Sequence, residues 1–213
     1  MFRIIFLLIV TATAATTKPS VTPLSLEVRV QDYANIPRGV WKISSATAAR
    51  VFQRAGASIL WLNCSPDDPK RDEQCRDRPS PGARVLRILP PEMTAKTRAS
   101  GIEFGRAQLI PDGSRGTYAS VYWGRVQHLA SGAARTVSLG GIPTPSRLKE
   151  ARILGYALAH ELAHLIGVHH SKAGVMHGPW TPSELASLLQ GSLRFQAREE
   201  ERIRESLAAG LSR

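Results

Sequence analysis

The feature that most constrains this chain is the run from His160 to His170, which reads HELAHLIGVHH. If the run is helical, His160 and His164 lie four positions apart on one face and point the same way. Two imidazoles at that spacing can both reach one zinc ion at the roughly 2.0–2.1 Å that zinc–nitrogen bonds require. Glu161 is turned only partly away from that face. Its carboxylate can therefore reach a metal-activated water without ligating the metal, which is the position of a general base.

Gly167 indicates how a third ligand reaches the same point. A glycine in the left-handed conformation commonly ends a helix and lets the chain turn sharply away. Such a turn would bring His170 back toward the helix. His169 is the alternative third ligand, but the spacing from Gly167 favours His170. Three protein ligands leave the fourth zinc position open, which is typical of a catalytic site rather than a closed structural one.

The clustering of histidines argues against a chance match. Five of the six histidines lie between positions 160 and 177. A bare His-Glu-x-x-His occurs by accident in roughly 0.5% of chains of this length, and the glycine and third histidine at fixed offsets make an accident far rarer. His177 is as consistent with a residue at the rim of a cleft as with any specific role. His128 is isolated, and we predict no function for it.

The run from His160 to His170, with Met176 downstream, resembles the metzincin clan of zinc endopeptidases. The pair His170-Ser171 and the short path to the methionine are most similar to the matrixin branch. In that clan the methionine forms a tight turn beneath the zinc, so the resemblance implies that Met176 is a structural floor and not a ligand. An ordinary core methionine is the alternative.

The resemblance implies a secreted zinc endopeptidase that hydrolyses polypeptides, with one catalytic Zn²⁺ held by His160, His164 and His170. Zinc would polarise the scissile carbonyl and activate a water, while Glu161 would take the water's proton and deliver it to the leaving amine. No residue of the sequence stands out as a stabiliser of the oxyanion besides zinc itself. The alternative is a secreted zinc-binding pseudo-enzyme or interaction module without proteolytic activity, and the presence of Glu161 argues against it.

The N-terminal residues 1–15 are predicted to be a signal peptide. Arg3 supplies a positive charge, Ile4 to Val10 form an apolar stretch too short for a membrane span, and Ala12-Thr13-Ala14 is a plausible cleavage signal. We therefore expect a secreted or periplasmic protein, with an uncleaved anchor as the alternative. The remaining residues 16–213 are predicted to form a single metzincin-like catalytic domain, with an upper part at about 22–167 and a lower part at about 168–213.

The two cysteines of the chain, Cys64 and Cys75, agree with export. In an oxidising compartment they would most simply pair, closing a short loop and contributing about 3 kcal/mol. Without a Cys-x-x-Cys spacing they do not indicate a second zinc site. The segment Pro111-Asp112-Gly113 has one aspartate, which is too little to predict a calcium site.

The formal net charge of +11 favours contact with anionic surfaces. The basic residues are dispersed along the chain and no nucleic-acid-binding motif is present, so we predict no specific nucleic-acid partner. We expect a monomer without a transmembrane segment.

The alternation of apolar and polar residues, the glycines and prolines, and the helix-capping signals predict the elements of the fold. Strands are predicted at Leu24–Asp32, Ser58–Leu62, Arg84–Leu89, Glu103–Ile110 and Thr117–Tyr122. Helices are predicted at Pro37–Ala55, Ser146–Ile166, Pro182–Leu189 after a capping box from Thr181 to Glu184, and Gln196–Ala209.

These elements predict an α+β fold with an α/β-like upper part. A twisted mixed sheet of about five strands, one of them an antiparallel edge strand, would pack on a crossover helix and the zinc-binding helix, with a short, mainly helical C-terminal part after them. The order is similar to that of the metzincin upper domain. That resemblance implies that Glu103–Ile110 is the edge strand that holds substrate by backbone pairing. It also implies that Trp180 lines the substrate pocket, with plain core packing as an equal alternative.

Overall fold

The computed structural model describes residues 24–66, 68–80, 82–97, 103–110, 116–136 and 145–211. Within them a five-stranded mixed sheet has the strand order β2-β1-β3-β5-β4. β1 is parallel to β2 and β3, and β3 is parallel to β5, whereas β4 lies antiparallel to β5 at the edge of the described sheet. The predicted α+β class and antiparallel edge strand are confirmed. The bounds are β1 Ser25–Asp32, β2 Ser58–Asn63, β3 Arg84–Leu89, β4 Gly105–Leu109 and β5 Gly116–Tyr122.

Alternation along the strands decides which face of the sheet is covered. In β1, Leu26, Val28 and Val30 are almost fully buried and belong to the main core cluster. On the other face of β1, Arg29 is also buried, and its guanidinium donates to Glu27 Oε1 at 2.8 Å and to the Asp77 carbonyl at 2.9 Å. The buried charge is therefore paired and hydrogen-bonded, as burial of a charge requires.

The crossover between β1 and β2 is helix α1 (Arg38–Arg54), which begins directly after Pro37 and is followed by Gly56 at a φ of +83°. α1 packs against α4 (Ser146–Leu165), the helix that carries the predicted zinc ligands. The Ser44 hydroxyl of α1 donates to the Ala151 carbonyl of α4 at 2.9 Å. A contact this close depends on Gly155, where a Cβ would lie 2.6 Å from Thr47 Cβ.

Helix α4 is buried over most of its surface. Leu154, Leu158 and Leu162 have no exposed area, and the helix contacts α1, α3, β4 and β5. This enclosure leaves α4 little freedom to shift, and His160 and His164 project from it into a cleft.

Four further helices complete the described chain. They are α2 (Pro91–Thr94), α3 (Trp123–Thr136), α5 (Pro182–Gln190) and α6 (Ala197–Leu211), and a 3-10 turn spans Glu73–Arg76. The capping box at Thr181 and Glu184 and the helical C-terminal part are as predicted. Sequence reasoning missed α3, in which Gly124 and Gly132 lower the helix propensity. Trp123, Val126 and Ala130 nevertheless bury a face of α3 in the core.

The predicted disulfide between Cys64 and Cys75 is present, with a Cα–Cα distance of 5.5 Å. The predicted signal peptide and the segment Pro111-Asp112-Gly113 lie outside the described residues, so the signal peptide stays a prediction, as do the domain bounds. In the part of the chain that the structure describes, no helix has the length and apolar character needed to cross a membrane.

We predict that Gly155→Ala destabilises the protein by about 1–3 kcal/mol, because the added Cβ forces α1 and α4 apart. It would lie 2.6 Å from Thr47 Cβ and 2.8 Å from the Ser44 carbonyl oxygen. The matched control is Gly132→Ala on α3, where a Cβ meets nothing within 4 Å. This control should raise stability by about 0.5–1 kcal/mol. Thermal unfolding followed by circular dichroism measures both, and equal melting temperatures for the two variants would contradict the packing argument.

Candidate metal centre

Three histidine nitrogens converge at the floor of the cleft. The Nε2 atoms of His160 and His164 are 3.0 Å apart, and the Nε2 of His170 lies 3.1 Å from the first and 3.0 Å from the second. Among the described residues they form the group of side chains that can hold a metal ion. Burial decreases across the site, from His160, which is buried, to His170, which is exposed. One side of the group therefore faces solvent.

Two backbone carbonyls determine which nitrogen of each helical histidine is available. His160 Nδ1 donates to the Val175 carbonyl at 2.8 Å, and His164 Nδ1 donates to the Val168 carbonyl at 2.8 Å. Because a carbonyl oxygen only accepts, each Nδ1 carries the proton and each Nε2 presents a lone pair. Two lone pairs 3.0 Å apart cannot hydrogen-bond to one another. A cation between them removes their repulsion, so these residues fit a metal ion.

Burial keeps both helical imidazoles in the neutral form that a metal needs. Burial lowers the pKa of His160 to about 4, and the neighbouring His170 lowers it further, against the opposing effect of the Val175 hydrogen bond. Burial and then the nearby His160 lower the pKa of His164 to about 3. Both rings are therefore unprotonated and able to ligate at neutral pH.

The turn after α4 delivers His170 to the other two histidines. Gly167 adopts a φ of +88°, the left-handed conformation predicted for it. The Val168 N–H donates to the Ala163 carbonyl at 3.0 Å and closes the end of the helix. His169 is exposed and lines the cleft without joining the three-nitrogen group. The structure thus brings His170, and not the alternative His169, to the predicted ligand pair.

Glu161 lies beside the histidines and is 5% exposed. Burial raises the pKa of Glu161 to about 8, and the nearby Glu103 raises it further. A hydrogen bond from the Ala107 N–H and the charge of Arg106 act in the opposite direction. The carboxyl group therefore reaches across from α4 to the edge strand β4. A cation held by the histidines would favour the ionised form of this carboxyl group.

Gly105 is a site residue that sequence reasoning missed. A Cβ at this position would lie 2.7 Å from Glu161 Cδ and 2.6 Å from the Ser120 carbonyl oxygen. Only a residue without a side chain lets β4 approach the Glu161 carboxyl so closely. The contact joins Gly105 and Glu161, which are far apart in sequence, so no local sequence pattern predicts it.

The chain after His170 returns beneath the histidines. Val175 and Met176 are fully buried in a turn, and the Met176 carbonyl accepts the Ser171 N–H at 3.2 Å. Val175 supplies the carbonyl that orients His160. The role of Met176 as a floor beneath a metal ion stays a prediction.

Trp180 and Phe104 line the cleft as a stacked pair, with ring centroids 5.4 Å apart and an interplanar angle of 22°. The Trp180 ring also stands edge-on to His160 at 6.3 Å, and its Nε1–H donates to the Val175 carbonyl at 3.3 Å. Trp180 thus contacts the same carbonyl that orients His160. The pair connects the start of β4 to the segment after Met176.

Glu184 ties this segment to helix α5. Its carboxylate accepts the N–H groups of Thr181 and Gly174 and lies 2.6 Å from His177 Nδ1. Burial alone would raise the pKa of Glu184, but the hydrogen bonds from Thr181, His177 and Gly174 outweigh it and lower the pKa to about 2. Glu184 is therefore ionised at neutral pH, and it joins three points of the loop.

The three histidines, Glu161, His177 and the Trp180–Phe104 pair face one cleft of about 540 Å³ between α4, β4 and the segment 169–180. His128 lies elsewhere, exposed on α3. The cleft is large enough for several residues of a peptide, and β4 forms one of its walls.

No protein-family model and no curated protein matches the sequence. Among solved structures, the chain is similar to a zinc-dependent peptidase from Methanocorpusculum labreanum, with 14% identity, 84% of this chain and 99% of that chain covered, and a TM-score of 0.49. It is also similar to archaemetzincin from Methanopyrus kandleri, with 17% identity, 89% and 99% covered, and a TM-score of 0.48. At such low identities and TM-scores, neither likeness decides what this chain does.

We predict that His170→Ala lowers the affinity for Zn²⁺ by more than about 100-fold, since it removes one of three converging nitrogens. His169→Ala is the matched control, because it removes an adjacent exposed imidazole outside the group. It should leave the affinity within about threefold, because no converging nitrogen is lost. Competition titration against a chromophoric chelator measures both. Loss of affinity in His169→Ala with retention in His170→Ala would show that the third ligand has been wrongly assigned.

Proposed function

We propose that this chain is an exported zinc-dependent endopeptidase of the metzincin type. The observation that carries the proposal is the convergence of three histidine Nε2 atoms within 3.1 Å of one another, beside a buried carboxyl group and an antiparallel edge strand. A structural metal site needs neither the carboxyl group nor the open side. The predicted signal peptide and the disulfide support export.

His160, His164 and His170 would hold the ion. Imidazole nitrogens suit zinc, and three protein ligands leave a position for a substrate or water. When bound, zinc supplies a Lewis acid that polarises a carbonyl group and makes a water molecule more acidic. The exposed side of His170 is where a substrate would enter.

Glu161 acts as the general base. Its carboxylate takes a proton from the attacking water and returns it to the leaving nitrogen as the peptide bond breaks. The Ala107 N–H holds this carboxylate toward β4, so the base lies between the histidines and the strand that borders the substrate. Its hydrogen-bond donor is therefore part of the cleft wall.

The backbone of β4 offers a place for an extended peptide. The Tyr122 N–H donates to the Phe104 carbonyl at 2.8 Å, which starts the ladder between β4 and β5. In an antiparallel pair the next residue of each strand turns its peptide groups away from the partner. Gly105 and Ala107 therefore direct theirs toward the cleft, where Glu161 accepts the Ala107 N–H and the two carbonyls would accept from a substrate strand. A substrate strand would pair with this edge and gain affinity from its main chain, largely independently of its sequence.

The test of the proposal is Glu161→Gln. The amide has the shape of the carboxyl group and can still accept the Ala107 N–H, but it cannot take a proton. We expect zinc content equal to that of the wild type, and cleavage of a mixed peptide library slower by about 10²–10⁴-fold. Atomic absorption measures the metal and mass spectrometry measures the cleaved products.

A wild-type protein that holds zinc and cleaves no peptide contradicts the peptidase function and favours the binding module. A wild-type protein that binds no zinc contradicts both. Cleavage that persists in Glu161→Gln at the wild-type rate rejects Glu161 as the base.

We also predict that Gly105→Ala lowers kcat/KM by about tenfold or more while zinc remains bound. The new Cβ would lie 2.7 Å from Glu161 Cδ, so it displaces either the base or the edge strand. Small displacements of a catalytic group have large effects on rate. Gly132→Ala, with open space around its Cβ, serves as the control. Unchanged peptide cleavage in Gly105→Ala would mean that Glu161 has room to move without losing its function.

A further inference from the structure

Addition of water to a peptide carbonyl places negative charge on the carbonyl oxygen, and a hydrogen-bond donor aimed at that oxygen commonly accelerates such reactions. No residue stands out from the sequence alone as such a donor, and only the metal would stabilise the oxyanion. One of the titratable side chains of the cleft that the proposed function does not use is hydrogen-bonded to a carboxylate of helix α5. This side chain is His177.

His177 shares the cleft of the three-histidine group. It lines the same cleft as His160, His164, His170 and Glu161, and 25% of its side chain is exposed. Its neighbour Gly178 sits against the ligand rings, because a Cβ there would be 3.8 Å from His160 Cε1 and 3.9 Å from His170 Nε2. The backbone at 177–178 therefore adjoins the place where a scissile carbonyl would bind.

Glu184 holds the imidazole of His177. The Nδ1 of His177 is 2.6 Å from Glu184 Oε2, and the His177 N–H donates to the Gly174 carbonyl at 3.2 Å. Glu184 is itself held by the N–H groups of Thr181 and Gly174, and its pKa is lowered to about 2. An ionised carboxylate only accepts, so Nδ1 carries a proton. Among the described residues none hydrogen-bonds to Nε2 of His177.

We propose that His177 is a catalytic residue of the proposed peptidase, donating a hydrogen bond from Nε2–H to the oxygen of the scissile carbonyl, and that Glu184 is its positioning residue. The inference rests on the proposed function. With protons on both nitrogens the ring is an imidazolium, and the Glu184 carboxylate balances its charge. A pair of this kind presents a preorganised N–H donor, which stabilises a developing oxyanion without reorganisation.

The step balances without a proton leaving His177. The water oxygen bonds to the carbonyl carbon, and the π electrons of the carbonyl move onto its oxygen. Glu161 takes the proton of the water. When the carbon–nitrogen bond breaks, the electron pair on the oxygen re-forms the carbonyl, and Glu161 returns the proton to the leaving nitrogen.

A structural role for His177 makes a different prediction. If the imidazole only links the loop to Glu184, its loss loosens the segment that supplies the Val175 carbonyl to His160. Zinc content, stability and substrate binding would then fall together. If His177 stabilises the transition state, kcat falls while KM and zinc content stay near their wild-type values.

The experiment compares three substitutions of His177 with one control in the zinc-loaded full-length protein. His177→Ala removes the ring, His177→Leu keeps apolar bulk without a donor, and His177→Gln restores an N–H donor. His128→Ala removes an exposed imidazole from α3, outside the cleft. For each we would measure zinc content, melting temperature, kcat and KM on one peptide, and the inhibition constant of a phosphinic peptide that mimics the tetrahedral intermediate.

We expect the alanine and leucine variants to lose about 10²-fold in kcat with KM within about twofold. Inhibition by the phosphinic peptide should weaken by a factor similar to the loss in kcat/KM, since transition-state mimics report that stabilisation. His177→Gln should recover part of kcat, and His128→Ala should match the wild type.

Wild-type kcat in His177→Leu overturns the inference, as does loss of kcat that is accompanied by loss of zinc. Equal losses in the glutamine and leucine variants also overturn it, because the donor would then be irrelevant. If His177→Ala does not fold, the comparison of kcat between His177→Gln and His177→Leu tests the inference. A zinc-loaded wild type that cleaves nothing overturns the proposed function itself, whereas a wild type that cleaves normally confines any failure to His177.

Discussion

Two hydrogen bonds to backbone carbonyls organise the whole site. The carbonyls of Val168 and Val175 hold the Nδ1–H groups of His164 and His160, and this turns both Nε2 lone pairs toward one point. Each carbonyl lies in the loop after α4, so the loop aligns the helix side chains while the helix anchors the loop. Gly167 makes this possible, because its left-handed conformation lets the chain reverse under the helix. The same reversal places His170 beside the other two imidazoles.

Much of this arrangement follows from local sequence patterns. The alternation of Leu26, Val28 and Val30 predicts a strand with one buried face, and the spacing of His160 and His164 predicts two imidazoles on one helix face. The glycine after the helix predicts the reversal. These features depend on residues a few positions apart, where backbone geometry dictates the outcome.

Other features depend on contacts between distant segments. Helix α3 forms although Gly124 and Gly132 weaken it, because Val126 and Ala130 gain burial that no local pattern reveals. The approach of β4 to Glu161 at Gly105 requires the sheet and α4 to be in place first. Glu184 was expected to cap α5, and it does. Its contacts with Gly174 and His177 arise only when the loop folds over that cap.

The several partners of Glu184 have a consequence for how the molecule opens. One carboxylate accepts the backbone amides of Gly174 and Thr181, one on the loop and the other at the start of α5. Rotation of the Glu184 side chain away from this position breaks both bonds at once. Local opening events in proteins tend to involve such linked segments as units. In hydrogen exchange, the amides of Gly174 and Thr181 should therefore become labelled with one common opening free energy. Fraying of α5 would also release the loop around Gly174.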